Sequence, residues 1–277
     1  MINKILVAVA GRGLCEEMFN MLMEVPSLQN VSVTVLHVVP NETIADEMAE
    51  KLEQGGKYLA QAVQSLKIDP NRVNPRLKQG DPKTAVLETA EEENADLIIM
   101  GSRALGRLQA ILENSVSQYV FQLSSLPMLL VKDDVYVKRL KRLMVAVDAS
   151  EASNDALEMG ISLARDIQGC QLYFIRANSP EDVSNPEQES ALAAAATEAK
   201  KYGIQYRCQL VRGDTGEEIC NAASDANIDL LLLGSPDRRP SVAKGMPDLD
   251  RLLGNSVSDY VRVKADCPVL LTRTVGQ

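Results

Sequence analysis

Two pairs of short motifs hold the residues best suited to chemistry in this chain. Gly101-Ser102 ends a short apolar run, and Asn114-Ser115 begins a helical pattern. The same arrangement returns as Gly234-Ser235 and Asn255-Ser256. A glycine lets backbone N–H groups approach an anion, and a serine at a helix N-terminus adds a hydroxyl donor to the helix dipole. The combination suits phosphate, although Ser115 and Ser256 are also explained as helix N-caps, each worth about 1 kcal/mol.

Other side chains with catalytic potential are few. The single histidine, His37, lies inside the apolar run 33–39 and is interpreted as a strand residue whose ring is hydrogen-bonded. One histidine excludes a His-based triad in each half of the chain and argues against a zinc site. Asp148 follows the apolar run 143–147 but lacks an evident general-base partner. The five cysteines form no C-x-x-C pair and are interpreted as small apolar core residues: Cys15, Cys170, Cys208, Cys220 and Cys267.

Familiar nucleotide and hydrolase motifs are broken or missing. Gly11-x-Gly13 follows a predicted strand, but Glu16 occupies the third glycine position of a dinucleotide-binding fingerprint. The spacing from Gly101 to Gly106 fits a P-loop, yet Arg107-Leu108 follows where Lys-Ser or Lys-Thr is needed. No Gly-x-Ser-x-Gly elbow occurs, which removes the commonest class of hydrolase.

The chain repeats itself over the length of a domain, which predicts two copies of one fold. The first strands of the copies are 138 positions apart, the Gly-Ser pairs 133 and the Asn-Ser pairs 141. The second copy is therefore about five residues shorter in its middle and eight residues longer after Gly234. The matched segments are 5–9 with 143–147, 95–102 with 228–235, 114–120 with 255–261, and 126–131 with 267–272.

Apolar runs of strand length alternate with amphipathic helical stretches. The first copy predicts strands at about 4–10, 31–39, 73–79, 96–100 and 127–132, and the second opens with a strand at 143–147 and a helix at about 151–168. The fold class is therefore α/β, with two tandem doubly wound domains, each a five-stranded parallel sheet with helices on both faces. In such sheets, ligands bind beyond the carboxyl ends of the strands, where the strand order reverses.

Length and composition narrow the classes of function. The 277 residues accommodate two domains, predicted at 1–135 and 141–277 with a charged linker at 136–140. A net charge of −9 argues against nucleic-acid binding, and no apolar run approaches the ~18–20 residues of a membrane span. Met1 lies next to the first strand and leaves no room for a signal peptide, which predicts a cytoplasmic protein.

The motifs on this repeated α/β pattern resemble the universal stress protein (UspA) family in its tandem two-domain form. The family motif is Gly, two residues, Gly, nine residues and Gly-Ser after the fourth strand, with an Asp ending the first strand. The resemblance implies an adenine-nucleotide-binding Rossmann-like fold. Members of the family bind AMP, or ATP with Mg²⁺, at this motif or have lost the site, so the resemblance implies one of these states. It also implies that domains pair through their last strands.

The first copy matches this motif in part. Gly101 and Ser115 match, whereas Ala104 and Asn114 replace the second and third glycines, and Ala10 replaces the aspartate. Arginine side chains beside these positions offer guanidinium groups to a phosphate. The binding residues that the resemblance implies in this copy are Ala10, Val38, Gly101, Ser102, Arg103, Gly106, Asn114, Ser115 and Val116.

The second copy keeps a different subset of the motif residues. It keeps Asp148 and Gly234, but Asp237 takes the second glycine position and sets like charge against a phosphate, which Arg238-Arg239 can offset. The implied binding residues are Asp148, Gly234, Ser235, Asn255, Ser256 and Val257. We expect the first copy to keep the better phosphate-binding part of the site and the second the better adenosine-binding part. It is equally plausible that one of the two domains binds no nucleotide.

Three functions are compatible with these residues. The leading one is a cytoplasmic stress-response regulator with partial ATP or AMP sites and no fast turnover. The alternative is a ligand-free dimerising scaffold that binds protein partners, favoured by the glycine losses and the insertion. The third is slow ATP hydrolysis through Asp148. Apolar edge strands at 127–132 and 268–273 predict an intrachain pseudo-dimer of the two domains and a homodimer of chains.

Overall fold

The computed structural model describes residues 2–102, 115–132, 135, 139–236 and 256–274. The chain divides into two compact units, unit 1 at Met1–Asp134 and unit 2 at Val135–Gln277. Among the helices of the described ranges, none is long and apolar enough to cross a membrane.

Strands and helices alternate through the described part of unit 1. Short 3-10 turns at Pro26–Leu28 and Pro70–Arg72 precede the second and third strands. The elements are β1 (Lys4–Ala8), α1 (Leu14–Leu22), β2 (Ser32–Val39), α2 (Ala45–Ser65), β3 (Val73–Gln79), α3 (Pro82–Glu92), β4 (Leu97–Ser102), α4 (Val116–Leu123) and β5 (Met128–Lys132).

The described part of unit 2 repeats this order of elements. A 3-10 turn at Pro186–Gln188 precedes its second helix. The elements are β6 (Arg142–Ala146), α5 (Glu151–Ala164), β7 (Gln171–Ala177), α6 (Ser190–Lys201), β8 (Gln205–Val211), α7 (Thr215–Asp225), β9 (Leu230–Pro236), α8 (Val257–Lys264) and β10 (Val269–Thr274).

The strand order confirms the predicted doubly wound fold in each unit. It is β3-β2-β1-β4-β5 in unit 1 and β8-β7-β6-β9-β10 in unit 2, and the strand pairs within each unit are parallel. Helices α1 and α2 contact each other, as do α3 and α4, so helices cover both faces of the sheet, and unit 2 shows the same pairs. The order reverses between β1 and β4 and between β6 and β9, which places a ligand crevice at these two points.

Burial on both faces of the sheet explains why the sequences of the central strands are unbroken apolar runs. Strand β4 buries Leu97–Met100, the first three of them completely, and in β9 Leu230, Leu231 and Leu232 are fully buried as well. A central parallel strand is covered on both faces, so every side chain must be apolar. The outer strands β3 and β8 instead expose polar side chains along most of their length.

Two carboxyl ends of predicted strands differ from the observed ends by two residues, and both differences affect the crevice. Strand β1 ends at Ala8, so Ala10 lies beyond the sheet. Strand β4 runs on through Gly101 and Ser102, because these residues pair with the last two residues of β5. Since side chains alternate along a strand, Gly101 and Ser102 face opposite sides of the sheet.

Aspartate side chains cap the N-termini of α3 and α7. The Asp81 side chain accepts a hydrogen bond from the N–H of Lys83 at 3.0 Å, and that of Asp214 from the N–H of Glu217 at 3.0 Å. Helix α5 ends at Ala164, short of the predicted 168, because the N–H groups of Asp166 and Ile167 bond to carbonyls three residues back in tighter turns.

Candidate functional site

A cleft of about 280 Å³ opens in unit 2 beyond the carboxyl ends of β6, β7 and β9. Parallel register sets Ala146 of β6 beside Leu233 of β9, so the residues that follow them share one edge of the sheet. The α8 N-terminus completes the wall. The cleft therefore lies where the strand order reverses, and four predicted residues line it: Asp148, Gly234, Ser256 and Val257.

Asp148 lies exposed at the mouth of this cleft, directly after β6. Its Oδ1 accepts a hydrogen bond from the N–H of Ser150 at 2.7 Å, and its own N–H donates to Ser153 Oγ at 2.8 Å. These bonds fix the turn into α5 and orient the carboxylate. A carboxylate held in this way at a strand end can accept hydrogen bonds from two neighbouring hydroxyl groups, as a ribose presents them.

Gly234 forms the floor of the cleft, under the first turn of α5. A Cβ atom at this position would lie 2.2 Å from the carbonyl oxygen of Ala152 and 2.6 Å from the N atom of Ser153. The same carbonyl accepts a hydrogen bond from Thr272 Oγ1 at 3.3 Å. This glycine is therefore required by the close approach of α5 to the sheet, whatever else the cleft holds.

Ser256 forms the N-cap of α8 and faces the cleft. Its Oγ accepts a hydrogen bond from the N–H of Asp259 at 3.1 Å and lies 3.0 Å from Ser258 Oγ. Its hydroxyl donates to Asp259 Oδ2 at 2.7 Å. The structure thus places the predicted serine at the crevice, and it also shows an acceptor behind it that the sequence analysis missed.

Ser235 does not line the cleft. The alternation of β9 turns its side chain to the α8 side of the sheet, where its Oγ lies 3.2 Å from Ser258 Oγ and accepts a hydrogen bond from Arg273 Nη1 at 3.4 Å. Only 4 % of Ser235 is exposed. Its structural role is to connect the end of β9 to α8.

Arg176 lines the cleft, although the sequence analysis did not identify it. Its Nε lies 3.3 Å from Oε1 of the buried Glu189, the N-cap of α6. The register pairs Ala8 with Leu36 in unit 1 and Ala146 with Ile175 in unit 2, so Arg176 corresponds to His37. A guanidinium group in a largely apolar strand was the sequence signal that could have identified it.

The corresponding edge of unit 1 is built differently. The Tyr58 ring of α2 packs against Gly11, where a Cβ atom would lie 2.9 Å from Cδ1 of the ring. The ring also makes an edge contact with His37, at 5.7 Å between centroids. Ala10 is exposed and offers no carboxylate, and Gly11 has a φ of +73°. An aromatic side chain of unit 1 therefore lies against the ends of those strands whose counterparts in unit 2 border the cleft.

The remaining predicted residues of unit 1 that the structure describes lie at the same edge. Val38 is half-buried near the end of β2, and Ser102 is buried in β4. Gly101 is exposed, and among the described residues a Cβ atom there would meet only Sγ of Cys15, at 4.0 Å. Ser115 caps α4 by accepting from the N–H of Gln118 at 3.4 Å, and Val116 opens that helix. Four predicted residues lie outside the described residues: Arg103, Gly106, Asn114 and Asn255.

The interpretation of His37 agrees with the structure, and that of the cysteines holds for three of the five, since Cys208 and Cys220 are only half-buried. A ring nitrogen of His37, Nδ1, lies 2.9 Å from the carbonyl oxygen of Val9. All five cysteines are free thiols, and three of them are buried: Cys15, Cys170 and Cys267. In the described part of the chain, no group of three or more His, Cys, Asp or Glu side chains is placed to hold a metal ion.

Comparison with known proteins agrees with the repeat. The model of the universal stress protein family matches the chain twice, over residues 1–132 and 139–273. Universal stress protein YxiE of Bacillus subtilis is 27% identical over 148 residues, which are 48% of this chain and 100% of that protein. A universal stress protein of Thermus aquaticus is 36% identical over 87 residues, 31% of this chain and 62% of that protein.

A solved structure matches nearly the whole chain. The universal stress protein of Archaeoglobus fulgidus superposes with a TM-score of 0.75 and 22% identity, and the match covers 98% of this chain and 96% of that one. At this identity the likeness shows the fold. With the two family matches, which cover nearly all of the sequence, the chain belongs to the universal stress protein family and carries two such domains.

Proposed function

We propose that this protein is a cytoplasmic stress-response regulator that binds an adenine nucleotide or nucleoside in the cleft of unit 2. The observation that supports it most is the convergence of Asp148, Gly234, Ser256 and Val257 on one cleft at the reversal of strand order. The family resemblance implies adenine as the base. A volume of about 280 Å³ suits a small ligand of this kind.

The lining of the cleft divides into a polar and an apolar part. Ile175, Ala177, Ile219 and Val257 offer apolar surface that suits the faces of a purine ring. Asp148 provides the acceptor for the ribose hydroxyls. Walls of this kind, apolar with a few convergent polar groups, are typical of small-molecule sites.

The proposed role is regulatory and involves no fast turnover. Among the described residues, Asp148 is the single carboxylate that lines the cleft, and its Oδ1 is used in the turn to Ser150. General-base catalysis needs a partner that positions the base and a group that stabilises developing charge, and the described cleft residues present no such set.

Unit 1 supports a different function, that of a ligand-free domain that presents a surface to partners. The specific observation is the packing of Tyr58 against Gly11 and His37, together with the replacement of the aspartate by Ala10. The predicted homodimer belongs to the same proposal and is tested by light scattering of the full chain.

Calorimetric titration of the full chain with adenosine, AMP and ATP tests the proposed function. Saturable binding that is lost in Asp148→Ala and kept in Asp155→Ala supports it, since Asp155 lies on α5 away from the residues that line the cleft. The absence of heat with all three ligands up to millimolar concentration contradicts it. Equal affinity of the Asp148→Ala variant and the unchanged chain would also contradict it, because the ligand would then bind elsewhere.

A further inference from the structure

The hydroxyl proton of Ser256 is already used inside unit 2. A serine hydroxyl has one proton and can accept two hydrogen bonds. The Ser256 Oγ accepts from the N–H of Asp259 at 3.1 Å, lies 3.0 Å from Ser258 Oγ and lies 2.7 Å from Asp259 Oδ2. A carboxylate oxygen only accepts, so Ser256 must donate to it. What Ser256 presents to the cleft is therefore an oxygen without an available proton.

A buried ion pair fixes this arrangement. Arg262 Nε donates to Asp259 Oδ1 at 3.0 Å, and the side chains of Arg262 and Asp259 are 3 % and 9 % exposed. Hydrogen bonds between charged groups are shorter and stronger than neutral ones. With Oδ1 held by Arg262, the second carboxylate oxygen points at Ser256 and cannot rotate away without breaking the pair.

Unit 1 has no such pair at the matched positions. Ser115 corresponds to Ser256, and Gln118 and Phe121 stand where unit 2 has Asp259 and Arg262. Gln118 is buried, and its Oε1 has no hydrogen-bond partner among the described residues. The Ser115 hydroxyl therefore does not donate to Gln118.

We propose that Asp259 makes the unit 2 cleft select a nucleoside over its phosphates, by keeping the Ser256 hydroxyl turned away from the cleft. This inference rests on the proposed function of that cleft. A phosphate beside the α8 N-terminus would meet a lone pair of Ser256, with a carboxylate 2.7 Å behind it. The helix dipole would attract the phosphate, and these two groups would repel it. Asp259 is a positioning residue that acts through Ser256.

Methyl-detected NMR of the full chain separates this role from a merely structural one. The Ile219 δ1 methyl group lines the cleft and reports on binding there. The probes are adenosine, AMP and inorganic phosphate. In the unchanged chain we expect adenosine to bind at least as tightly as AMP. In Asp259→Asn, the amide oxygen keeps the bond from Arg262, and the NH₂ group donates to Ser256. The freed hydroxyl proton can then reach a ligand phosphate, a stronger acceptor than the neutral Ser258 Oγ 3.0 Å away.

The expected change in Asp259→Asn concerns AMP alone. Its affinity should rise about tenfold, the effect of one hydrogen bond to a charged group, while that of adenosine stays within about twofold. Asp225→Asn, at the exposed far end of α7, makes the same change in net charge and should alter neither affinity. Parallel changes for adenosine and AMP, or no change for AMP, would overturn the proposal.

Two further arms keep the test decisive. Should Asp259→Asn fail to fold, the double variant Asp259→Gln with Arg262→Phe installs the pair that unit 1 accommodates, with the same expected gain for AMP. Should adenosine leave Ile219 unshifted, the proposed function fails separately. Inorganic phosphate then tests the role of Asp259. We expect phosphate to shift the cleft signals in Asp259→Asn and to leave them unshifted in the unchanged chain. If phosphate shifts the signals of neither protein, the proposal is overturned.

Discussion

Gly234 lies so close to Ala152 that a Cβ atom on the glycine would be 2.2 Å from the carbonyl oxygen of the alanine. The matched glycine of unit 1, Gly101, would bring its Cβ no nearer than 4.0 Å to Sγ of Cys15, an ordinary contact. The two glycines share a motif position, but packing against the described residues requires a glycine only at Gly234.

Alanine substitutions at these glycines should therefore have unequal effects on stability. Gly234→Ala forces the first turn of α5 away from the sheet, and we expect a loss of about 1–3 kcal/mol or more in the free energy of unfolding. Gly101→Ala should change it by no more than about 0.5 kcal/mol. Urea unfolding of the two variants followed by circular dichroism measures both, and equal losses would show that the close contact of Gly234 is easily relieved.

Glu16 should make stability depend on pH. It is buried in the first turn of α1, and burial, more than any other cause, raises the pKa of its carboxyl group. A carboxyl group with a raised pKa binds its proton more tightly in the folded state, so folding is favoured while it is protonated. That contribution is full below the unfolded pKa of about 4.3 and is lost as the pH rises through the folded value.

Glu16→Gln removes this dependence. The variant should be more stable than the unchanged chain at pH 7.5, and the gain should shrink toward pH 4. Urea unfolding at both pH values gives the comparison, with Glu17→Gln as the matched control on the exposed neighbour. A gain of the same size at both pH values would contradict the assignment to desolvation.

The contact between Arg176 and Glu189 should stabilise unit 2. Glu189 Oε2 accepts from the N–H of Leu192 at 2.9 Å, and Oε1 accepts from Ser179 Oγ at 3.1 Å beside the guanidinium of Arg176. Glu189→Ala removes a helix cap and leaves a half-buried cation, which should cost about 3 kcal/mol. Glu189→Gln keeps the cap and should cost clearly less.

The control for that series is Glu187→Ala, an exposed carboxylate two residues earlier. Surface ion pairs contribute little, so this variant should unfold at nearly the same urea concentration as the unchanged chain. A loss at Glu187 as large as that at Glu189 would mean that the negative charge of the segment, not the buried contact, stabilises α6.

Two thiols should react slowly for an electrostatic as well as a steric reason. Burial raises the pKa of Cys170 and of Cys208 to about 11. Because the thiolate is the nucleophile, alkylation near pH 8 should be about a hundredfold slower than that of a thiol with an unshifted pKa. Cys208 is the sharper test, since its side chain is half-exposed and a small reagent reaches it.

Alkylation with iodoacetamide, followed by peptide mass spectrometry, measures these rates in the folded and the urea-unfolded chain. The rate at Cys208 should climb steeply as the pH approaches its pKa. Equal rates in the folded and unfolded states at pH 8 would contradict a raised pKa.

The architecture of this protein could be predicted from its sequence, and the composition of the cleft only in part. The repeat and the apolar runs predicted the doubly wound fold and the edge of the sheet that carries the crevice, because these features depend on local periodicity and on chain connectivity. Asp148, Gly234 and Ser256 were identified for the same reason: they follow a strand or begin a helix.

What the sequence analysis missed depends on contacts between distant segments. Tyr58 reaches Gly11 from α2, and Glu189 at the start of α6 pairs with Arg176 near the end of β7, so neither contact is visible in a local sequence pattern. The alternation of β9 turned Ser235 away from the cleft because the strand continued past Gly234. Comparison of the copies does contain one signal, since Asp259 replaces Gln118 in otherwise similar helix starts.

The central claim is that unit 2 binds an adenine nucleoside or nucleotide in the cleft between Asp148 and Ser256. Crystals of the full chain grown with AMP test it most directly. We predict density for the base and ribose in unit 2, with the ribose within hydrogen-bonding distance of Asp148 and no phosphate contact from the Ser256 hydroxyl. AMP bound only in unit 1, or a phosphate held by Ser256 in unit 2, would contradict this account.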